Sequence, residues 1–266
     1  MSTPIALTIA GSDSSGGAGI QADLKTFAAL GVYGASVVTA LTAQNTMGVT
    51  GIHLVPPDFV TAQIDAVFSD LDVKAVKVGM VAQHASVEAI AAALERWSAA
   101  HIVLDPVMVA TSGDRLLAPE AAQALRTRLI PVASLITPNL PEAAALLDEP
   151  IATSEAEIEA QGRRLLALGC PAVLIKGGHA GGSESVDYLL SEAGTLKLSA
   201  PRIATQNTHG TGCSLSSAIA AGLAKGEPLV TAVRNAKIWV SDAIAAADRF
   251  SVGHGHGPIH HFHRHY

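Results

Sequence analysis

Short apolar or β-branched runs alternate with segments of helical period along most of this chain, and that alternation restricts the fold more than any single residue does. When strands and helices take turns, neighbouring strands pair in parallel and helices cover the sheet. The sequence therefore predicts an α/β fold with a mainly parallel sheet. The predicted strands are Ile5–Ala10, Gly51–Val55, Ala75–Val78, Ile102–Leu104, Leu135–Ile136 and Ala172–Ile175.

The segments between these strands carry apolar residues at the three- and four-residue spacing of an amphipathic helix. The sets that indicate helices are Val60, Ile64, Val67 and Leu71, then Val87, Ile90, Leu94 and Trp97, and finally Ile158, Leu165 and Leu168. No Ser/Gly-rich linker or internal repeat divides the sequence. We therefore expect one domain over residues 1–266, with ample hydrophobic content for a large core.

One region departs from the alternation. Val186–Leu190 and Thr195–Ser199 flank the turn-rich residues 191–194, a pattern that predicts an antiparallel hairpin at the sheet edge.

Charge and cysteine usage exclude several classes of protein. The formal net charge is -6 and only 15% of residues are charged, with no basic run outside the tail, so we expect no nucleic-acid partner. No apolar run approaches the roughly 20 residues that span a bilayer, so we expect no membrane association. Cys170 and Cys213 have no metal-ligand spacing and form no disulfide framework, which favours a reducing, cytoplasmic location.

A glycine-rich loop, Gly11–Gly19, follows the first predicted strand and precedes a helix. Ligands of open α/β sheets bind at such strand ends. The loop is neither a Walker A motif nor a G-x-G-x-x-G dinucleotide fingerprint. It is either a ligand-binding loop or a tight turn that needs small residues.

Asp23 falls on the apolar face of the helix that follows this loop, beside Ile20, Leu24 and Phe27. A buried carboxylate needs a partner, which is either a structural hydrogen bond or a polar group of a ligand. Gln44, after the apolar residues 35–43, offers a planar amide that could bind the edge of a heteroaromatic ring.

Oxygen-bearing side chains follow two other predicted strands. Asp105 ends one strand, and Asn139 and Glu142 follow the next, so together they could frame a site for Mg²⁺ and a nucleotide triphosphate. The alternative for Asn139 and Glu142 is a helix N-cap with a first-turn acid. Both interpretations can hold at once.

Two lysines occupy apolar surroundings. Lys176 ends a buried-looking strand, and Lys237 shares a helix face with Val233, Val240 and Ile244. A lysine among apolar residues needs a partner, and a nucleotide phosphate is one candidate.

Residues 207–214 read Asn-Thr-His-Gly-Thr-Gly-Cys-Ser and lead into an alanine-rich helix. A helix start gathers free amides and the positive end of the helix dipole, so it binds anions. Cys213 would lie in the first turn, where a thiol's pKa is typically lowered. Phosphoryl transfer and Cys-dependent acyl chemistry both fit, and a small buried residue is the alternative without chemistry.

The motifs Gly11–Phe27, Gln44–Thr46, Thr137–Glu142, Lys176–His179 and Asn207–Cys213 together resemble the bacterial hydroxymethylpyrimidine/phosphomethylpyrimidine kinases of the ribokinase-like superfamily. The resemblance covers nearly the whole chain. It implies a three-layer α/β/α fold, ATP and Mg²⁺ as cofactors, and two successive phosphorylations of 4-amino-5-hydroxymethyl-2-methylpyrimidine in thiamine biosynthesis. Pyridoxine or pyridoxal kinase activity is the alternative.

The same resemblance implies roles for individual residues. Its implied acceptor-binding residues are Gly11, Ala18, Asp23, Gln44, Met80 and Val107. The anion hole would be Gly210, Thr211, Gly212 and Cys213, with Cys213 in the position of the base and Lys176 beside the transferred phosphate. The implied nucleotide-binding residues are Lys176, Lys237, Asn139, Thr208 and Asp105, and the implied metal site is Asn139, Glu142 and Asp105.

Three further features are implied by the family. A flap over residues 108–117 would exclude water during transfer, and the chain would form a homodimer. The histidine-rich tail, residues 254–266, resembles the ending of family members and is interpreted as a native structural segment. Many ribokinase-like kinases carry Asp where this chain has Cys213, whereas the pyrimidine kinases have Cys.

Overall fold

The computed structural model describes residues 3–108, 119–178 and 182–265. Ten strands and eight α-helices are numbered here in chain order. Strands β1 to β10 are Ile5–Ala10, Tyr33–Val38, Ala40–Asn45, Gly48–Leu54, Ala75–Val78, Ile102–Leu104, Leu135–Ile136, Ala172–Lys176, Glu184–Ser191 and Gly194–Pro201. Helices α1 to α8 are Gly19–Ala29, Pro57–Phe68, His84–Arg96, Pro119–Ala124, Leu140–Leu147, Glu155–Leu166, Thr211–Ala224 and Leu229–Ala245. A π-helical turn spans Leu125–Leu129 and a 3₁₀ turn spans Ala247–Arg249.

Eight strands form one sheet in the order β10-β9-β8-β7-β6-β5-β1-β2. The six strands from β8 to β2 pair in parallel, and β9 and β10 add an antiparallel edge. The chain builds outward from β1 in both directions, first to β2 and later to β5. That reversal opens a crevice beyond the carboxyl ends of β1 and β5, where ligands of open α/β sheets bind.

Helices pack on both faces of this sheet, which confirms the three-layer α/β/α prediction. One core contains Ile64 of α2, Ile90 of α3 and Ile158 of α6 against the first face. The other contains Phe27 of α1, Ile219 of α7 and further residues of α8. Helix α7 is buried from Ser214 to Ala224, because it lies between the sheet and the helices α1 and α8. Its small residues permit that close packing.

The predicted strands of the main sheet are confirmed, and so is the edge hairpin of β9 and β10. The interpretation of Gly51–Val55 as a strand of the parallel sheet is wrong. Strand β4 pairs antiparallel with β3 in a separate two-stranded sheet. Asn45 pairs with Gly48 across a two-residue turn at Thr46 and Met47, and this short connection commits the two strands to each other.

Within the described ranges, no helix combines the length and the apolar character that crossing a bilayer requires.

Candidate active site

A cavity of about 1080 Å³ opens where the carboxyl ends of β1, β5, β6, β7 and β8 face the N-terminus of α7. The side chains and amides predicted from five separate sequence motifs meet here, because the ends of parallel strands share one edge of the sheet. Predicted residues that line the cavity are Gly11, Ala18, Gln44, Met80, Asp105, Val107, Asn139, Glu142, Lys176, Thr208, Gly210, Thr211, Gly212, Cys213 and Lys237. Asp23 does not line it.

The turn before α7 presents backbone amides to this cavity. Gly210 is the N-cap of the helix with φ at 78°, and a Cβ there would lie 1.9 Å from the carbonyl oxygen of Gly17. Only glycine fits that approach. The Thr211 amide donates to Thr208 O, whereas the amides of Gly212 and Cys213 have no acceptor among the described residues. The predicted anion hole is this turn, where two amides without a protein acceptor and the positive end of the helix dipole are suited to an anion.

Lys176, the last residue of β8, places its ammonium beside this turn. Its Nζ lies 2.8 Å from Asp105 Oδ1 and 3.8 Å from Glu142 Oε2. A Cβ added at Gly212 would lie 3.3 Å from the same Nζ. Burial by itself lowers the pKa of Lys176, but the Asp105 and Glu142 carboxylates outweigh burial and hold that pKa above its usual range. The lysine therefore stays charged next to the anion hole.

Asn139 and Glu142 form a capping box at the start of α5. The Glu142 amide donates to Asn139 Oδ1 and the Asn139 amide donates to Glu142 Oε2, each at 2.8 Å. The capping alternative is therefore confirmed. Burial, opposed by Lys176 and assisted by Asp105, raises the pKa of Glu142 to about 7. Across the described ranges, no three His, Cys, Asp or Glu side chains form a metal-binding group.

Lys237 of α8 finds its partner within the protein. Its Nζ lies 2.8 Å from Asp187 Oδ2 and donates to Ser185 Oγ at 3.1 Å. The other oxygen of Asp187 accepts from the Gly177 amide at 2.9 Å. Lys237 thus joins α8 to the β9 edge while still lining the cavity.

Asp23 lies beneath the cavity and has no exposed surface. Its carboxylate accepts from Thr8 Oγ1 at 2.6 Å and from Ser217 Oγ at 2.7 Å, and it binds Lys77 Nζ at 2.8 and 2.9 Å. Direct contact between Asp23 and a pyrimidine, as the family resemblance implies, does not fit this arrangement. The structural alternative accounts for the buried carboxylate, because protein donors surround it completely.

Lys77 is a cavity residue that the sequence analysis did not single out. It is the third of the four residues of β5 and is completely buried, and it is among the residues that border the cavity. Burial lowers the pKa of Lys77, but Asp23 and then Cys213 and Asp105 outweigh burial and keep the pKa above its usual range. A lysine within the otherwise apolar strand Ala75-Val76-Lys77-Val78 is the sequence feature that indicates a buried charge with a partner.

The expected lowering of the Cys213 pKa is wrong. Burial raises the pKa of this thiol to about 11. Lys77 and the Gly19 amide oppose the rise, whereas Asp23 and Asp105 add to it. Desolvation and two nearby carboxylates therefore raise the pKa of the thiol by more than the helix N-terminus lowers it. The thiol is therefore protonated at neutral pH.

The glycine-rich loop is folded around Asp13. The Asp13 carboxylate accepts from the amides of Ser15, Gly17 and Ala18 and from Ser15 Oγ. His209 Nε2 lies 2.8 Å from the same carboxylate. Burial raises the pKa of Asp13, but hydrogen bonds from His209 and Ser15 hold it well below its usual range. The loop is both a tight turn and a wall of the cavity, and His209 joins it to the anion hole.

The C-terminal tail packs against both sides of the site. The His209 amide donates to Gly257 O at 3.0 Å, and the amides of His254 and Gly255 donate to Thr46 Oγ1. Ile259 is completely buried. The tail thus connects the β3–β4 turn with the anion-hole turn, in agreement with its interpretation as a structural segment.

His261 predicts a pH dependence of stability. Burial lowers its pKa from 6.5 to about 3, and its Nε2 lies 3.0 Å from Ser214 Oγ. Below pH 6.5 the His261 side chain is protonated in the unfolded chain but stays neutral in the folded chain. The free energy of unfolding is therefore highest above pH 6.5 and decreases as the pH falls. Between pH 7 and 5, wild type should lose up to about 2 kcal/mol more unfolding free energy than His261→Gln. Urea unfolding at both pH values measures this, and equal losses would contradict it.

Two predicted features lie outside the described residues. Of the expected flap, residues 108–117, only Met108 is described, and His179 of the Lys-Gly-Gly-His motif also falls outside.

The free amides of a helix N-terminus, a charged lysine beside them and acids at the neighbouring strand ends form a site suited to phosphoryl groups. On a three-layer α/β sheet with an apolar pocket next to them, they define a small-molecule kinase as the class of this protein.

Comparison with known proteins gives the family. The family model described as phosphomethylpyrimidine kinase matches residues 13–260, and the chain belongs to this family. It is 58% identical over 258 residues to the hydroxymethylpyrimidine/phosphomethylpyrimidine kinase of Escherichia coli strain K12, with 97% of each chain covered. The resemblance read from the motifs is thereby confirmed.

Solved structures agree with this assignment. An ADP complex of Bacillus subtilis pyridoxal kinase superimposes with a TM-score of 0.91 at 36% identity, covering 100% of both chains. The phosphomethylpyrimidine kinase of Clostridium difficile 630 gives a TM-score of 0.80 at 44% identity, covering 90% of this chain and 99% of that one.

Proposed function

We propose that this protein transfers a phosphoryl group from ATP to 4-amino-5-hydroxymethyl-2-methylpyrimidine and then to the resulting monophosphate, in thiamine biosynthesis. The observation that carries the proposal is the single cavity in which Gln44 and the anion hole of Gly212 and Cys213 lie together. A ring held at Gln44 would direct its hydroxymethyl group toward the anion hole. The 58% identical Escherichia coli enzyme bears the name of both reactions.

The acceptor end of the cavity combines apolar contact with one amide. Met80 and Val107 line it beside the backbone of Gly11 and Ala18, and Gln44 supplies the polar group. Small-molecule pockets usually combine apolar walls with a few placed polar groups. This composition suits a flat heteroaromatic ring with an exocyclic amine.

The donor end combines the cations. Lys176, Lys237 and the amides of α7 would bind the phosphates of ATP, with Thr208 at the entrance to the turn. The B. subtilis relative was solved with ADP, which supports a nucleotide in this cavity.

Asp105, Asn139 and Glu142 would hold Mg²⁺ together with the nucleotide. They supply the oxygen ligands that Mg²⁺ prefers, and all three line the cavity. A bound Mg²⁺ would neutralise charge on the phosphates. Lys176 already neutralises part of the Asp105 charge at 2.8 Å.

In the proposed transfer step, Cys213 acts as the base. The Cys213 thiol first loses its own proton to solvent. The acceptor hydroxyl then gives its proton to the resulting thiolate, the hydroxyl oxygen forms a bond to the γ-phosphorus, and the bond from that phosphorus to the bridging oxygen breaks to release ADP. The amides of Gly212 and Cys213 would stabilise charge on the transferred phosphoryl oxygens. Lys77 favours the thiolate electrostatically.

Replacing Cys213 by alanine should lower kcat by about 10²- to 10⁴-fold, the usual contribution of a general base, and leave acceptor affinity unchanged. In wild type, kcat/KM should rise from pH 7 to 9, because the thiolate is the active form and its pKa is about 11. Initial rates and calorimetric binding measure both effects. Normal turnover by Cys213→Ala would show that the thiol is not the base.

Phosphorylation of pyridoxine or pyridoxal is a second candidate activity. The observation that favours it is the TM-score of 0.91 with B. subtilis pyridoxal kinase. These acceptors also carry a hydroxymethyl group on a heteroaromatic ring, so the same base and anion hole would serve them.

A homodimer is the proposed assembly. Exposed apolar side chains on and beside the β3–β4 hairpin support it, namely Tyr33, Leu41, Met47, Ile52, Leu54 and Phe59. Light scattering of the purified chain measures the assembly directly.

A further inference from the structure

The hydroxyl of Thr42 in β3 lies between two acceptors. Thr42 Oγ1 is 2.9 Å from the carbonyl oxygen of Ser12 and 3.2 Å from Gln44 Oε1. The residue is only 8% exposed, so water gives little alternative hydrogen bonding. A hydroxyl carries a single hydrogen and therefore cannot fully serve both acceptors.

The Ser12 carbonyl takes that hydrogen in the better arrangement. It is the nearer acceptor, and the Thr42 amide also donates to Ser12 Oγ at 3.0 Å, which holds the two segments together. A half-turn of the Gln44 amide then brings Nε2 to Thr42 Oγ1 as a donor. After that rotation the Thr42 hydroxyl donates to Ser12 O and accepts from Gln44 Nε2, and Gln44 Oε1 is left for a ligand in the cavity that Gln44 lines.

The main chain of Gln44 is fixed independently of its side chain. Its amide donates to Ser14 Oγ at 2.9 Å, and the same hydroxyl donates to its carbonyl at 2.8 Å. The register of β3 with β4 shifts between Ala43 and Gln44, a bulge that directs the side chain. The Gln44 side chain starts from this fixed main chain, and Thr42 Oγ1 contacts its terminal amide.

We propose that Thr42 is a positioning residue that holds Gln44 with its carbonyl oxygen toward the bound ring. Gln44 then accepts a hydrogen bond from an exocyclic amine and repels a carbonyl at the same ring position. The site thereby selects 4-amino over 4-oxo rings. This inference rests on the proposed function and adds the residue that gives its ring specificity.

The test compares two acceptors, 4-amino-5-hydroxymethyl-2-methylpyrimidine and the ring in which an oxo group replaces the amine. Wild type should bind and phosphorylate the amino ring about 100-fold better, since mismatched buried polar groups are strongly rejected. Thr42→Val frees the amide to turn, so the preference should fall to about 10-fold, with KM for the amino ring raised and KM for ATP unchanged. Thr42→Ser keeps the hydroxyl and should keep the wild-type preference.

Thr50→Val is the matched control, because Thr50 Oγ1 donates to Ala43 O at 3.0 Å in the same hairpin without touching Gln44. It should retain the preference. An unchanged preference in Thr42→Val, or a loss in Thr42→Ser as large as in Thr42→Val, would overturn the role of Thr42. Calorimetric dissociation constants give the same ratio without turnover. A wild type that binds the amino ring but phosphorylates neither acceptor would therefore refute the proposed function and still test Thr42.

Discussion

Replacing Lys176 by methionine is expected to lower kcat about a thousandfold. The Lys176 ammonium lies beside the free amides of the α7 turn, where a Cβ at Gly212 would be 3.3 Å from it. A fixed positive charge at that place stabilises the charge of the transferred phosphoryl group, and removing one such group typically costs about 10²- to 10³-fold or more. The change also leaves Asp105 without its nearest cation, at 2.8 Å in wild type. Initial rates of ADP release at saturating ATP and acceptor measure the loss.

Lys176→Arg retains the charge and should recover part of the rate, since the guanidinium has a different shape. Lys197→Met is the control. Lys197 Nζ forms an exposed ion pair with Glu155 Oε2 at 2.9 Å, and Lys197 does not line the cavity. It should turn over as wild type does. If Lys176→Met raised only the KM for ATP and kept kcat, Lys176 would bind ground-state nucleotide and would not act in the transfer.

Replacing Lys77 by methionine should lower the unfolding free energy by about 3 to 5 kcal/mol, the cost of leaving one partner of a buried ion pair unpaired. Asp23 and Lys77 both have fully buried side chains, and the two are in contact at 2.8 Å. The Asp23 carboxylate would keep only its two hydroxyl donors, from Thr8 and Ser217. Urea unfolding followed by circular dichroism measures the change.

Combining Asp23→Leu with Lys77→Met removes both charges and should restore much of the stability, because no unpaired charge remains. If Lys77→Met lowered the unfolding free energy by less than about 1 kcal/mol, the pair would contribute no more than an exposed ion pair does. That result would contradict its buried character. The same series tests the role of Asp23. Asp23→Asn should affect unfolding far more than the KM for the pyrimidine, which is the opposite of what direct ring contact requires.

The sequence predicts much of this fold because strand and helix patterns differ in period. Ile5–Ala10 and Ala75–Val78 are predicted to the residue, since each is a compact apolar run between clear boundaries. The β3–β4 hairpin is different. Its turn, Thr46 and Met47, has no strong turn signal, and the antiparallel pairing of Gly48–Leu54 depends on contacts that periodicity does not carry.

The sequence likewise predicts some parts of the candidate site and not others. Residues at strand ends, such as Asp105 and Lys176, could be placed together because parallel strands end at one edge. The partner of Asp23 could not be predicted, because several buried positions could supply a donor to its carboxylate. The donor in the structure, Lys77, is 54 residues away in the chain. The Asp13–His209 contact joins residues 196 apart in the chain. The Cys213 pKa depends on burial and on carboxylates from other elements, which a local helix-start rule leaves out.

In the proposed function, the aminopyrimidine alcohol and its monophosphate are both phosphorylated by ATP in one cavity. The most direct measurement is ADP release by the purified protein with ATP and Mg²⁺, comparing the alcohol, its monophosphate and pyridoxine as acceptors. We predict turnover with both pyrimidines, weaker turnover with pyridoxine, and loss of all three activities together in Cys213→Ala. Binding of the pyrimidine alcohol without ADP release, or turnover with pyridoxine alone, would show that this protein is not a pyrimidine kinase.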